Sequence, residues 1–123
     1  MPGSKKKPEA EQCELDENGK DAKIEIVSKI KEDAGLVRAA KEACKNADVQ
    51  KDINHLEEEL AKGNDNPGIG NKPVTGLKNV SEARARNEGR VYFRKKDGTI
   101  EILAKSNKDN QEAVIAILGR MGY

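Results

Sequence analysis

The sequence predicts an α+β fold: N-terminal helices packed on a small twisted antiparallel sheet of three to five strands, with a C-terminal helix. Three observations carry that expectation. Apolar residues recur at helical spacing through the first half. The period changes to strict alternation from residue 82 onward. An Asp97-Gly98 pair, the strongest short hairpin signal, separates two alternating runs.

Element by element, residues 1–20 read as a disordered linker or tail, with too little apolar surface to offset the entropy of ordering. Residues 21–123 read as one domain, with a helical part over 21–63 and a basic sheet-plus-helix part over 74–118. Helices are predicted over 22–33 and 36–47, where Ile26, Ile30, Val37, Ala40, Cys44 and Ala47 fall near helical spacing. Gly35 breaks or caps the first piece, and Asp33 is a candidate N-cap for the second. A further helix over 49–62 carries Val49, Ile53, Leu56 and Leu60 as its stripe and stops at Gly63. Residues 63–73 are a loop by composition, and its glycines lack the Lys-Ser/Thr pair of a phosphate-binding P-loop. Three strands follow, over 82–86, 90–95 and 99–105, and Ser106 is placed to cap a last helix over 107–118.

Composition narrows the function classes. No apolar run approaches the roughly 18–20 residues of a membrane span. The Lys5-Lys6-Lys7 cluster has no apolar stretch after it, so it is not a secretory signal. One histidine and two cysteines, Cys13 and Cys44, exclude a histidine-rich metal centre and a four-cysteine zinc site. Cys44 lies on an apolar stripe, where a small buried hydrophobe is the expected role rather than a reactive thiol. Charge is uneven: residues 1–66 carry 12 Lys/Arg against 16 Asp/Glu, and residues 67–123 carry 11 against 6. Such a change of sign hints at a polyanion-facing part beside a carrier or partner-facing part.

Successive strand side chains point to opposite faces. Strict alternation puts Ala83, Ala85, Val91, Phe93, Ile100, Ile102 and Ala104 on a core face. It puts Glu82, Arg84, Arg86, Arg90, Tyr92, Arg94, Thr99, Glu101, Leu103 and Lys105 on an open one. Four arginines around a tyrosine exceed what solubility asks of a wet sheet face. Arginine forks match phosphate oxygens in pairs, and tyrosine can stack on a base.

RNA cleavage suits such a face, because the ribose 2′-OH supplies the nucleophile. The protein need only orient the phosphate, stabilise charge and move protons. Tyr92, Glu82, Glu101, His55 and a lysine with its pKa lowered by neighbouring arginines are the candidate proton carriers.

The run Pro73 to Lys78, then Glu82-Ala83-Arg84-Ala85-Arg86, Gly89-Arg90-Val91-Tyr92-Phe93-Arg94, Gly98 to Leu103 and Lys105-Ser106-Asn107-Lys108 resembles the RelE/HigB-like ribonuclease toxins. These belong to the broader barnase/EndoU/colicin/RelE group. The resemblance covers residues 73–118, and the helical lead-in looks like that of modules ending contact-dependent inhibition and other polymorphic toxins. It implies a metal-independent toxic endoribonuclease without a cofactor. The implied substrate is RNA, commonly tRNA, cut by 2′-OH attack on the adjacent phosphate. It also implies delivery as the C-terminal part of a secreted or surface-displayed bacterial toxin acting in the target cytoplasm. A cognate immunity protein would cover the basic face, and a translation factor such as elongation factor Tu is a conceivable helper.

By the same resemblance, Arg90 matches a phosphate-binding or catalytic arginine, Arg86 loosely matches another, and Lys105 or Lys108 matches the basic cluster after the last strand. The catalytic set expected is therefore Arg86, Arg90, Tyr92, Lys105 and Lys108. The RNA-binding set expected is Lys72, Lys78, Arg84, Arg94 and His55. Members of that group begin with a strand ahead of their helices, and residues 1–20 offer none. Two other readings compete: a non-catalytic nucleic-acid-binding module on the same sheet, and a scaffolding partner working through the acidic helices.

Overall fold

The computed structural model describes residues 24–64 and 66–123. Expectations for residues 1–20 fall outside it. Among the described residues the order is β1 (Glu25–Ser28), a single 3₁₀ turn (Ile30–Glu32), α1 (Ala34–Ala43), α2 (Ala47–Ala61), β2 (Gly70–Pro73), β3 (Ser81–Arg84), β4 (Arg90–Lys96), β5 (Thr99–Ser106) and α3 (Gln111–Arg120). The five strands form one sheet in the order β1-β5-β4-β3-β2. The architecture is α+β with a C-terminal helix.

The first departure from expectation is β1. A helix is expected over 22–33, but among the described residues of that span Glu25–Ser28 is a strand that pairs in parallel with β5, from Glu25 opposite Thr99 to Ser28 opposite Ile102. The sheet is therefore mixed rather than purely antiparallel. The i,i+4 spacing of Ile26 and Ile30 suits a helix, but Ile24, Ile26 and Val27 are β-branched and lose rotamer freedom there. Ile26 and Val27 pair with β5 instead, and the Ile24 N–H donates to the Ala61 carbonyl at 3.0 Å.

Capping explains the two N-terminal helices. Asp33 Oδ1 accepts from the backbone N–H of Gly35 at 2.7 Å and of Leu36 at 3.2 Å, as its sequence position predicts. Asn46 Oδ1 does the same for Asp48 and Val49 and starts α2. Between them Cys44 is buried in the apolar core, as its place on the stripe predicts, and is not a free thiol. At the hairpin, Asp97 (φ 50°) and Gly98 (φ 81°) both take the positive φ that a type I′ turn demands.

Two helices cover opposite faces of the sheet. On one side, α2 places Leu56, Ile53 and Asp52 against the sheet and its end loops. Asp52 Oδ2 accepts from the backbone N–H of Asn87 at 2.7 Å and of Gly89 at 3.3 Å, pinning the β3–β4 turn beneath the helix. On the other side, α3 begins at Gln111, which bonds Glu82, and is followed by Tyr123, whose ring lies 5.0 Å from the Arg94 guanidinium. Helix α1 packs on β5 and α3 through Leu36, Ala39, Ala40 and Ala43. The core is continuous across these layers. No described helix is long and apolar enough to cross a membrane.

The last helix starts later than its sequence suggests. Ser106 does not cap it. Ser106 is the final residue of β5 and fully buried, and the turn into α3 is held by Asn107 and Asn110, each backbone N–H donating to the other's Oδ1.

Candidate active site

Register decides which side chains meet. Glu82 on β3 lies opposite Lys72 on β2 and Tyr92 on β4, so these three share one face. Arg84, Arg90 and Ser106 are likewise opposite one another on that face. Tyr92 then pairs with Ala104, whereas Phe93 pairs with Ile102, leaving Leu103 as an extra residue on β5. This bulge reverses the phase of the strand on either side of it. Glu101 remains opposite Arg94 on the Tyr92 face, but Lys105 is opposite Val91 and points the other way.

Glu82 is the centre of the resulting network and is only 3% exposed. Its Oε2 accepts from the Tyr92 hydroxyl at 3.0 Å and from Gln111 Nε2 at 2.9 Å. Arg90 Nε lies 3.4 Å from the same oxygen. The other oxygen, Oε1, stands 3.5 Å from Arg84 Nη2. A carboxylate can only accept, so Tyr92 donates to it, and Ser106 Oγ, 3.0 Å from the phenolic oxygen, must donate to Tyr92. Burial pushes the Tyr92 hydroxyl far above the ordinary tyrosine range; the bond from Ser106 works against this shift and the charge of Glu82 adds to it. Tyr92 therefore stays protonated and serves as a fixed donor.

Arg90 is as constrained as Tyr92. It is buried, its Nη1 donates to the Glu88 carbonyl at 3.2 Å, and its Nη2 lies 3.5 Å from Glu88 Oε1. Both residues that the sequence nominates for catalysis on this strand thus hold Glu82 rather than face solvent.

The opening lies at the sheet edge. A cleft of about 200 Å³ is lined by Ile69, Gly70, Asn71, Lys72, Glu82 and Arg84. Arg84 is half-buried and Lys72 exposed, so two cations flank the Glu82 carboxylate where the cleft meets solvent. One carboxylate oxygen is immobilised by Tyr92 and Gln111 while the other sits beside a cation. That arrangement can accept a proton from a bound hydroxyl and hold an anion next to it. A second hollow, about 800 Å³, is lined by residues including Asn71, Asn79, Phe93, Arg94, Lys95 and Lys96.

The remaining expected residues are scattered. Lys105 is fully buried on the α2 side, where its Nζ lies 3.1 Å from Glu57 Oε1. It is not on the open face with the arginines, because the bulge turns it over. The face itself is not open at its centre: Tyr92 and Glu82 are buried, and Gln111 at the start of α3 reaches Glu82. Arg86 is exposed in the β3–β4 turn, beyond the end of β3, and Lys108 is exposed in the connection to α3. Lys78 is exposed in the loop between β2 and β3, and His55 on the solvent side of α2. Arg94 joins Glu101 through its Nε and stacks on Tyr123. Burial raises the Glu101 carboxyl, but Arg94, with Lys29 and Lys96, outweighs it and holds the group below its usual range.

Glu82 figures in the sequence as one proton carrier among several. Ser106 and Gln111 carry no signal there, since nothing local reports that α3 brings Gln111 to β3. Among the described residues, no three His, Cys, Asp or Glu side chains gather in a way that could hold a metal ion. No protein-family model, curated protein or solved structure matches this chain.

Proposed function

We propose that this protein is a metal-independent endoribonuclease whose working groups are Glu82, Arg84 and Lys72. The observation that carries the reading is the Glu82 carboxylate, which is held through Oε2 by Tyr92 and Gln111, has Arg84 beside its Oε1, and lines a cleft flanked by cations. Glu82 takes the proton from a ribose 2′-OH as that oxygen attacks the neighbouring phosphorus. The bond to the 5′-oxygen breaks, a 2′,3′-cyclic phosphate forms, and Lys72 supplies the proton to the departing oxygen. Arg84 stabilises the charge that builds on the phosphoryl oxygens. Arg90, Tyr92 and Ser106 are positioning residues.

Several features support this reading. The Arg90-Val91-Tyr92-Phe93 strand, on which the resemblance to RelE/HigB-like toxins rests, builds this network. A strand precedes the helices after all, as that group would have it, at Glu25–Ser28. A tRNA substrate, a cognate immunity protein covering the basic edge and a helper such as elongation factor Tu follow from the same resemblance and are part of the proposal.

The test is total RNA from cells briefly expressing the chain, resolved on a denaturing gel. Wild type is expected to yield a discrete fragment that Glu82→Gln and Arg84→Ala abolish and Lys105→Met retains. Intact RNA in every lane, with RNA still bound by the purified chain, would instead favour a non-catalytic nucleic-acid-binding module.

A further inference from the structure

Ile69 is the large hydrophobic side chain that the described surface leaves exposed, at 62%. It lies on the wall of the Glu82 cleft, beside Lys72 and Arg84. Its position is imposed by the backbone. Ile69 N–H donates to the Arg84 carbonyl at 2.9 Å, tying the loop to the strand that carries Glu82. Gly68 (φ +71°) passes so close to that carbonyl that a Cβ would come within 2.3 Å of it. Asn66 Oδ1 accepts from the Asn71 N–H at 2.9 Å and closes the loop across its base. A side chain mounted on so constrained a loop cannot fold back onto the core. An apolar group is thus held in water next to two cations and a carboxylate.

We infer that Ile69 is the base-contacting residue of this cleft, and that its substrate is RNA unpaired at the cut position. The inference rests on the ribonuclease reading of Glu82 and names the substrate class of the same site. Cations that hold a phosphate and an apolar surface that receives the adjoining base are the two parts of a single-strand nucleotide subsite. Bases inside an A-form helix are stacked on one another and cannot offer a face to Ile69. The cleft lies along β2, an edge strand, so a chain can enter it from the side.

The experiment uses the purified full chain and fluorescent 2′-O-methyl oligonucleotides, which lack the attacking hydroxyl, so binding is read without cleavage. Ile69→Ala is expected to weaken binding of the unpaired oligonucleotide about tenfold, and Ile69→Leu to stay within about twofold. The same oligonucleotide annealed to its complement is expected to bind at least about tenfold more weakly, equally to wild type and Ile69→Ala. Duplex binding as tight as single-strand binding, Ile69→Ala binding like wild type, or no binding at all would overturn the inference. Cleavage of unmodified RNA by Glu82→Gln separates the two claims. Loss of cleavage with Ile69-independent binding retains the ribonuclease reading and removes this one. Undiminished cleavage with Ile69-dependent binding removes Glu82 from the chemistry and leaves Ile69 as a base contact.

Discussion

On the face of the sheet that carries Tyr92, Glu82 is surrounded by donors from two strands and a helix, and it lines a cleft at the sheet edge. On the face beneath α2, Lys105 is fully buried and meets Glu57 from the helix above it. Both faces therefore bury an ionisable side chain beside partners of opposite charge type, at a desolvation cost that those partners must offset. They differ in what lies beyond the partners. Glu82 borders a space where a ligand can enter, whereas Lys105 borders packed helix. A buried charge is a sign of chemistry only when one of its lone pairs or protons remains accessible, and the Lys105 pair is better read as part of the scaffold.

The comparison can be broken by mutation, beginning with the largest effect. Glu82→Gln is expected to lower RNA cleavage by about 10²–10⁴-fold, the usual worth of a general base. The protein should still unfold cooperatively, and cleavage at the wild-type rate would erase the distinction between the faces. Glu57→Ala should act in the opposite sense. It removes the Glu57 partner of buried Lys105 and costs about 3 kcal/mol of stability in denaturant titration, with cleavage per folded molecule unchanged.

Tyr92→Phe sharpens the positioning argument. Losing one donor to a buried carboxylate should cost about 1–2 kcal/mol of stability and slow cleavage about tenfold. The same variant tests the raised pKa. A tyrosine whose folded pKa exceeds its unfolded value of about 10 contributes stability below that pH and loses it as pH rises further. Absorbance titration should show the Tyr123 hydroxyl, which burial also raises, ionising before unfolding, and Tyr92 only with it. Removing Tyr92 should eliminate the late step. The smallest effect is expected at His55, exposed on α2: His55→Ala should change stability by less than about 0.5 kcal/mol and leave cleavage within about twofold.

Much of the fold was legible in the residues. The Asp33 cap, the Gly63 stop, the Asp97-Gly98 turn and the two long alternating runs are local devices, and each acts where the sequence places it. The edge strand β1 was not legible, because Ile24, Ile26 and Val27 are too short a run to separate strand from helix without knowing that β5 has a free side. The arginine-tyrosine face was legible in part. Glu82, Arg84, Arg90, Tyr92 and Arg94 do share it, but Arg90 and Tyr92 are buried where alternation alone would leave them open. Ser106 illustrates the same limit: suited by type to cap a helix, it was recruited to hold Tyr92 instead.

The sequence by itself determined the α+β class, the hairpin, the helix start at Asp33 and the charge of the second half, because turn chemistry, capping and periodicity act between neighbours. Tertiary structure alone decided which carboxylate is held, which lysine is hidden and where the face opens. The physical reason is the extra residue at Leu103. One unpaired position in β5 turns Lys105 to the α2 side while Glu101 keeps the Tyr92 side. Alternation within a strand cannot reveal a bulge that exists only in its pairing with another.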